Sequence, residues 1–353
     1  MLKFETEKTS IKLNFHKYRG NNPPKNLTGK SLYLQIMGKV KFTKRLKKKI
    51  GIVGFPIDLG ADRRGVDMGP SALRYAHLEQ KLENMGYVVK DFGDIVIEGA
   101  ETQRIRNPKL KFLPEIVRSS KTLAKKVESM LNRKFFPLIL GGDHACAIGS
   151  IAGISSYCKK NNKTLGVIWI DAHADMNTPE TTPSGNIHGM PLAVSLGIGE
   201  KKLTRVGGFS PKVLPENVAL IGIRDVDAEE AVTVKQFRDR GMQVYTMTDV
   251  DKQGVTRIIA RVLNDFKNEV DHIHISFDLD GIDPDYAGGV GTPVEGGLTY
   301  REASVIMEMV ADCGCMSSLE MLEVNPILDS KNETSELAVD FIESALGKSI
   351  LYE

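Results

Sequence analysis

From Ile50 onward, the chain alternates short apolar runs with helix-length segments, and this alternation limits the possible folds more than any other feature. The apolar runs are continuous, which is typical of strands buried on both faces. Strands that alternate with helices at this spacing form βαβ units, in which the strands are parallel. We therefore predict an α/β fold: one doubly wound parallel sheet with helices on both faces, in three layers. A closed barrel is the second choice.

The apolar runs give seven predicted strands, and the segments between them give seven predicted helices. The predicted strands are Ile50–Phe55, Phe136–Leu140, Gly166–Ile170, Val218–Ile223, Val244–Met247, Ile273–Asp278 and Ser317–Leu322. The predicted helices are Pro70–Met85, Pro114–Asn132, Ala145–Tyr157, Glu229–Arg240, Val255–Phe266, Tyr300–Asp312 and Glu333–Leu346. The sequence contains no internal repeat and no sign of a second folded domain.

Residues 1–48 differ in composition from the remainder of the chain. Residues 1–49 contain twelve Lys and two Arg against two Glu, whereas the whole chain has a net charge of only +2. The breaker cluster Gly20–Pro24 and the charge run Lys44–Lys49 predict a flexible basic extension at 1–48, followed by one folded domain at 49–353. The extension is rich in Lys, whereas transit peptides are rich in Arg and Ser, so we expect a cytoplasmic protein, with mitochondrial targeting as the alternative.

The cysteines and the hydropathy of the chain also indicate the cellular compartment of the protein and the kinds of partner that it lacks. Cys146, Cys158, Cys313 and Cys315 lack the paired spacing of a zinc site, and the C-x-C pair is too close for a usual disulfide framework. We therefore expect four reduced cysteines, as in a cytosolic-type compartment. No apolar run reaches the ~18 residues of a membrane span, and no nucleic-acid-binding motif accompanies the basic residues. Neither a membrane nor a nucleic acid is an expected partner.

Three predicted strands end in clusters of acidic and histidine residues. These clusters are Gly141-Gly142-Asp143-His144, Asp171-Ala172-His173-Ala174-Asp175 and Asp278-Leu279-Asp280-Gly281. In open parallel sheets, ligands bind at the carboxyl ends of strands, so the clusters should converge on one crevice. Alternate residues of an extended segment share a face, so each cluster would aim its side chains in one direction.

Six side chains of these clusters form a candidate metal site: His144, Asp171, His173, Asp175, Asp278 and Asp280. Four carboxylates in one crevice resist ionisation unless cations are present. One ion rarely needs so many ligands, so two divalent ions are expected. Carboxylates with some imidazole favour Mn²⁺ or Mg²⁺ over a structural zinc. Two adjacent cations activate a water for hydrolysis, but these motifs do not define the substrate.

These three clusters resemble the signatures of the arginase–agmatinase (ureohydrolase) family, and most of all its bacterial-type arginases. Three further segments are similar to the same family: Arg64–Pro70, Ser184–Pro191 and Glu323–Pro326. The likeness extends from Ile50 to the C-terminus, while the preceding residues have no counterpart in it. The resemblance implies the hydrolysis of L-arginine to L-ornithine and urea by a hydroxide that bridges two manganese ions.

The resemblance also implies the roles of individual residues. One manganese ion would be held by His144, Asp171, Asp175 and Asp278, and the other by His173, Asp171, Asp278 and Asp280. Proton transfer and binding of the guanidinium would involve His188, Asp175 and Glu323. The α-carboxylate and the α-amino group of the substrate would meet Asn177, Thr182, Ser184 and Asp227. Family members form homotrimers or homohexamers, so a homo-oligomer is expected.

Three alternatives stay open at this stage. An agmatinase acts on decarboxylated arginine, but the loop Asn177–His188 has the arginase form. A deacetylase of related fold would use one metal, and a non-catalytic metal-binding protein would usually have lost a ligand or an acid–base residue. Glu295 stands where an apolar residue is expected, so it could alter the rim of the cleft.

Overall fold

The computed structural model describes residues 49–348, and within this range eight strands form one sheet. The strands are β1 (Lys49–Phe55), β2 (Val88–Asp94), β3 (Phe135–Gly141), β4 (Leu165–Ile170), β5 (Val218–Ile223), β6 (Gln243–Thr246), β7 (His272–Asp278) and β8 (Met316–Leu322). Their order is β2-β1-β3-β8-β7-β4-β5-β6, and all seven adjacent pairs are parallel. The two edge strands do not pair with each other, so the sheet is open rather than a barrel. The predicted extension at 1–48 lies outside the described residues.

Eleven α-helices accompany the strands within residues 49–348. They are α1 (Gly69–Tyr75), α2 (Leu78–Asn84), α3 (Leu113–Asn132), α4 (Cys146–Lys160), α5 (Pro191–Ser195), α6 (Lys201–Thr204), α7 (Ala228–Arg238), α8 (Met247–Gln253), α9 (Val255–Glu269), α10 (Tyr300–Cys313) and α11 (Glu333–Ala345). Short 3-10 helices lie at Val66–Met68, Ala100–Thr102, Ile187–Gly189, Pro215–Asn217 and Leu279–Gly281. Among the helices of this range, none has the length and apolar character to cross a membrane.

The sheet separates two hydrophobic cores, one on each face. In β4, Val167 and Trp169 belong to the core that includes residues of α3, α4 and α7. Their neighbours Ile168 and Ile170 belong to the core that includes residues of α9, α10 and α11. Successive strand residues point to opposite faces, so a strand between two helical layers needs apolar residues at every position. The predicted three-layer α/β architecture is confirmed.

The structure differs from the prediction at one strand, at one helix that is divided in two, and at the short helices α5, α6 and α8, which were not predicted. The edge strand β2 was not predicted, because its residues alternate between exposed and half-buried and form no continuous apolar run. The predicted helix Pro70–Met85 is two helices, because His77 adopts a left-handed conformation with φ of 62°. A left-handed residue interrupts the helical hydrogen-bond pattern. The strand β2 and the break at His77 lie away from the strand ends that carry the candidate site, whereas α5 begins beside them.

The cysteines depart from the expectation of four reduced thiols. Cys313 and Cys315 are joined in a disulfide across Gly314, which ends α10 in a left-handed conformation and brings the two Cα atoms to 5.2 Å. That separation is within the usual range for a disulfide, so the expectation is wrong for this pair. Cys146 and Cys158 are free and buried. Burial raises the pKa of the Cys158 thiol to about 12, which keeps it protonated and unreactive.

Candidate active site

The candidate site lies at the carboxyl ends of five adjacent central strands. In sheet order these strands are β3, β8, β7, β4 and β5. The residues that follow them are His144, Glu323, Asp278 with Asp280, Asp171 to Asp175, and Asp227. Because parallel pairing fixes the register of these strands, side chains separated by up to 179 residues in sequence meet in one crevice.

The first group of candidate ligands surrounds His144. Its Nδ1 atom lies 3.1 Å from Asp171 Oδ2, 3.1 Å from Asp175 Oδ2 and 2.9 Å from Asp278 Oδ2. The imidazole is stacked on Trp169 and its Nε2 atom lies 2.8 Å from Ser276 Oγ, so both the ring plane and the ring nitrogens have fixed positions. The ligand atoms of His144, Asp171 and Asp175 all lie within 4.8 Å of one another, as the ligands of a single ion would. Asp278 contacts His144 but is not part of this group of mutually close ligand atoms.

The second group of candidate ligands surrounds His173. Its Nδ1 atom lies 3.4 Å from Asp171 Oδ1 and 3.1 Å from Asp280 Oδ2. Asp171 thus directs one oxygen to each group, and its side chain belongs to both possible ion sites. Asp278 contacts the first group through Oδ2, while its Oδ1 accepts a hydrogen bond from Asp280 N at 2.8 Å. The geometry gives Asp171 the position of a bridge between the groups.

Donor chemistry and spacing both fit two divalent cations. Octahedral coordination at about 2.1 Å places neighbouring ligand atoms about 3.0 Å apart. The contacts of His144 Nδ1 with three carboxylate oxygens span 2.9–3.1 Å, which matches this spacing. Carboxylates with imidazole suit Mn²⁺ or Mg²⁺, whereas structural zinc prefers thiolate and imidazole. The residues present therefore fit the cations that the sequence predicts.

The electrostatics of the cluster also favour cation binding. Burial raises the pKa of Asp278 well above its usual value, and the charges of Asp280 and Asp171 raise it further. Burial and the charge of Asp171 have the same effect on the pKa of Asp175. Although burial opposes its protonation, the carboxylates around His144 raise the pKa of this imidazole well above its usual value. The charged forms of these carboxylates are thus unfavourable on their own, and neighbouring cations would stabilise them.

Two functional candidates occupy left-handed backbone conformations that are rare for residues other than glycine. Asp175 has φ of 50°, and Glu323 has φ of 63°. The carbonyl of Asp175 accepts hydrogen bonds from Leu192 N at 3.1 Å and Ala193 N at 3.2 Å, at the start of α5. The amide of Glu323 donates to Gly142 O at 2.9 Å. Such strain persists only where surrounding contacts determine the conformation, and it is frequent at functional sites.

Glu323 and His188 form a pair beside the metal-type cluster. Glu323 Oε1 accepts a hydrogen bond from His144 N at 2.9 Å and lies 3.2 Å from His188 Nδ1. Its other oxygen, Oε2, is buried and has no hydrogen-bond partner within residues 49–348. Burial lowers the pKa of His188, but the hydrogen bond and the charge of Glu323 outweigh burial and raise it to about 9.

The predicted α-carboxylate and α-amino contacts lie at the other side of the same cleft. Asn177 Nδ2 donates to Asp227 Oδ2 at 3.0 Å, so these two side chains are paired. The hydroxyl of Thr182 accepts from Gly185 N at 2.9 Å, and that of Ser184 accepts from Asn186 N at 3.2 Å. Each hydroxyl therefore keeps its own proton to donate to an anion. All four predicted residues line one cleft with His144, His173 and Asp280.

Several residues that shape the cleft were not predicted from the sequence. The Arg224 guanidinium donates to Asp280 O at 2.7 Å and Val294 O at 2.7 Å, and it thereby joins the loop around Val294 to the end of β7. Thr292 Oγ1, from the same loop, donates to Asp280 Oδ2 at 2.8 Å. Glu230 lines the cleft, and burial raises its pKa to about 7. No local motif signals these contacts, because each depends on where two loops meet.

Glu295 does not have the position that the sequence suggested. Its side chain is exposed and is not among the residues that line the cleft in the described part of the chain. Its backbone carbonyl accepts a hydrogen bond from Arg224 Nε at 3.2 Å. The contribution of residue 295 to the rim is therefore through its backbone, which any residue could supply.

Comparison with known proteins gives consistent results along the described chain. A family model described as the arginase family matches residues 48–347. An arginase of Bacillus subtilis is 52% identical over 307 residues, which are 87% of this chain and 100% of that protein. An arginase of Bacillus caldovelox is 49% identical over 305 residues, 86% of this chain and 100% of that protein. The crystal structure of the Bacillus subtilis arginase superimposes with a TM-score of 0.79 at 50% identity, covering 86% of this chain and 100% of that one.

Proposed function

This chain belongs to the arginase family of hydrolases, and on that premise we propose that it hydrolyses L-arginine to L-ornithine and urea at a centre of two manganese ions. The family resemblance inferred from the sequence motifs is confirmed. The roles of individual residues, the identity of the metal and the number of ions belong to the proposal. So does a homotrimeric or homohexameric assembly, while the cytoplasmic location stays a prediction.

The unpartnered oxygen of Glu323 is the observation that carries the proposal. A buried carboxylate oxygen without a hydrogen-bond donor is costly, so it marks a place where a ligand donates. The guanidinium of L-arginine is a planar cation with five N–H donors and no acceptor. Glu323 would hold it by charge-assisted hydrogen bonds and fix its carbon beside the carboxylate cluster.

The candidate ligands divide between two ions. One ion would be held by His144, Asp171, Asp175 and Asp278, and the other by His173, Asp171, Asp278 and Asp280. When bound, the ions supply an activated water as the nucleophile for hydrolysis at neutral pH. The geometry of Asp171 supports its role as a bridge, since its two oxygens face different histidines.

Proton transfer is assigned to Asp175 and His188. Asp175 lies within the carboxylate cluster, where it can receive a proton from the attacking water. The His188 side chain is one-fifth exposed, at 19%, and hydrogen-bonded to Glu323, so its imidazolium can donate a proton to the departing amine. The attacking water must lose a proton and the leaving amine must gain one. The reaction therefore needs a proton acceptor and a proton donor within reach.

The far side of the cleft would select L-arginine over agmatine. The hydroxyls of Thr182 and Ser184 and the amide of Asn177 can donate to an α-carboxylate, and Asp227 can accept from the α-ammonium. Asn177 and Asp227 pair with each other, so binding of L-arginine would exchange this hydrogen bond for contacts with the substrate. The exchange keeps both groups satisfied in each state, which reduces its cost.

A urea-release assay with L-arginine and agmatine tests the proposal. The purified chain, loaded with Mn²⁺, should release urea from L-arginine with a much higher kcat/KM than from agmatine. Equal cleavage of both substrates would favour the agmatinase alternative. Mn²⁺ binding without urea release from either substrate would favour a non-catalytic metal-binding protein.

A further inference from the structure

Two lysines hold the turn that carries Thr182 and Ser184 from its outer side. Lys109 Nζ donates to the carbonyl of Thr182 at 2.5 Å. Lys111 Nζ donates to Asn186 Oδ1 at 2.9 Å, and it also pairs with Asp62 Oδ1 at 2.7 Å. Thr182, Ser184 and Asn186 all line the cleft. Lys109 thus contacts a residue of the proposed α-carboxylate subsite, and Lys111 contacts Asn186, whose amide donates to Ser184 Oγ at 3.2 Å.

The contact between this turn and the segment of the lysines is close and specific. The amide of Lys111 donates to Gly185 O at 3.1 Å. A Cβ atom at Gly185 would lie only 1.7 Å from Pro108 O, and Gly185 has φ of 78°, so only glycine fits there. The backbone contact and the two ammonium groups together fix the position of the turn relative to the cleft.

The charge of the cleft gives these lysines a second effect. Asp225, Asp227 and Glu230 line the cleft on the side of the α-amino contact. They favour the α-ammonium of a substrate, but they repel its α-carboxylate. The Lys109 ammonium would offset this repulsion, and the Lys111 ammonium would do so in part, because Asp62 pairs with it at 2.7 Å. A substrate without the carboxylate gains nothing from it, because its ammonium-bearing end would face only the acidic residues.

We propose that Lys109 and Lys111 are specificity-determining residues, which position the Thr182–Asn186 turn and favour substrates that carry an α-carboxylate. This inference rests on the proposed function and extends it to residues outside the substrate contacts. The expected effect is on binding of the carboxylate end, since neither lysine approaches the metal-type cluster through the contacts described. The lysines should therefore change KM and leave kcat nearly unchanged.

The test replaces both lysines with methionine, which keeps the length of the side chain and removes its charge. For Lys109→Met with Lys111→Met, KM for L-arginine should rise by about 3- to 10-fold, the range for two partly solvated charges near a bound carboxylate. Competitive inhibition by L-ornithine should weaken to a similar extent, whereas inhibition by 1,4-diaminobutane, which has no carboxylate, should not. Raising the ionic strength should reduce the difference between wild type and the double variant.

Two further variants separate charge from structure. Lys109→Arg with Lys111→Arg retains the charge and should retain a KM for L-arginine close to that of wild type. Lys125→Met removes an exposed lysine of α3 and changes the net charge by one unit, but it should leave KM unchanged. Calorimetric titration of the Mn²⁺-loaded protein with L-ornithine gives a binding constant that does not depend on turnover.

The outcomes distinguish this inference from the proposed function. If the wild type releases no urea from L-arginine, the proposed function fails regardless of the lysines. If the wild type is active and the methionine variant weakens L-ornithine and 1,4-diaminobutane equally, the lysines only support the fold. The same conclusion would follow from a loss of kcat alone. Unchanged binding of L-ornithine would overturn the inference outright.

Discussion

Replacement of Glu323 by Gln tests the proposed guanidinium contact with the least change in shape. Oε1 of Glu323 already accepts from His144 N at 2.9 Å and lies 3.2 Å from His188 Nδ1, and glutamine can preserve the first of these contacts. The NH₂ group of glutamine would then occupy the position of Oε2. A guanidinium cannot accept a hydrogen bond, so donors would face donors at this position.

The size of the effect follows from the loss of a buried, charged acceptor. Removal of one partner of a buried, hydrogen-bonded charge pair costs about 2–5 kcal/mol. This range corresponds to a reduction of about 30- to 5,000-fold in kcat/KM. Because Oε2 has no partner within residues 49–348 to compensate for the loss, we expect the upper half of the range. Both kcat and KM should change, since Glu323 would orient the guanidinium as well as bind it.

The same substitution should change the pH dependence of kcat. The hydrogen bond and the charge of Glu323 raise the pKa of His188 to about 9, against the opposing effect of burial. Without that charge the pKa of His188 falls, so the imidazolium loses its proton at lower pH. If His188 is the proton donor, the alkaline decline of kcat should begin at lower pH in Glu323→Gln. Bound cations lower this pKa in both proteins, so the sign of the difference is preserved.

The assay is urea release from L-arginine across a pH series, with both proteins saturated with Mn²⁺ and their metal content measured. Glu216→Gln, on the exposed surface, is the matched control and should behave as wild type. A Glu323→Gln enzyme within threefold of wild-type kcat/KM would refute the guanidinium contact. An alkaline limb displaced to higher pH would refute the role of His188 as the proton donor.

Four other measurements follow from the structure. A chelator should abolish activity, Mn²⁺ should restore it, and elemental analysis should find two ions per chain. One ion in a fully active chain would contradict the two-ion centre. Asp171→Ala should lose both ions, because Asp171 is the proposed bridge between them. Burial and neighbouring charges raise the pKa of Asp278 in the folded chain, so its ionisation costs stability as pH rises above the unfolded pKa. Asp278→Asn should therefore raise the Tm of the metal-free protein by about 1–2 °C per kcal/mol relieved and reduce the stabilisation by Mn²⁺; a lower metal-free Tm would oppose this reasoning. Deletion of residues 1–46 should leave kcat and Tm nearly unchanged; an insoluble product would make the extension structural. Asn177→Ala with Ser184→Ala should narrow the preference for L-arginine over agmatine by weakening L-arginine, and an equal loss for both substrates would argue against carboxylate contacts.

The central strands and the edge strand β6 could be predicted from sequence, whereas the other edge strand, β2, could not. A strand between two helical layers is buried on both faces, so β3, β4 and β7 appear as continuous apolar runs. The edge strand β2 has a solvated side and neighbours on one side only, so its sequence lacks that signal. Helix boundaries at the left-handed His77 depend on a single backbone conformation, which periodicity does not reveal.

The candidate ligands could be predicted for the same reason as the central strands. Each cluster follows a buried strand directly, so the position of His144 or Asp171 is determined by the sheet. Residues such as Arg224 and Thr292 meet the cluster through loops, over sequence separations of 56 and 12 residues to Asp280. No periodicity or local motif encodes such contacts between distant loops. The sequence therefore predicts the candidate ligands at the ends of the strands. The structure adds the loop residues that hydrogen-bond to those ligands and fix their positions.

The site concentrates three unfavourable features, and two of them, the carboxylate repulsion and the unpartnered oxygen, would be relieved by a bound cation or a cationic substrate. Asp175 and Glu323 adopt left-handed conformations that cost about 1–3 kcal/mol each. The buried carboxylates around Asp171 repel one another, and Oε2 of Glu323 has no donor among the residues that the structure describes. The sheet sustains this arrangement through backbone contacts such as Glu323 N to Gly142 O, which do not depend on a ligand. The fold already maintains this arrangement without a ligand. In the proposed function, the free energy recovered when cations neutralise the carboxylates and a guanidinium donates to Glu323 would therefore contribute directly to binding.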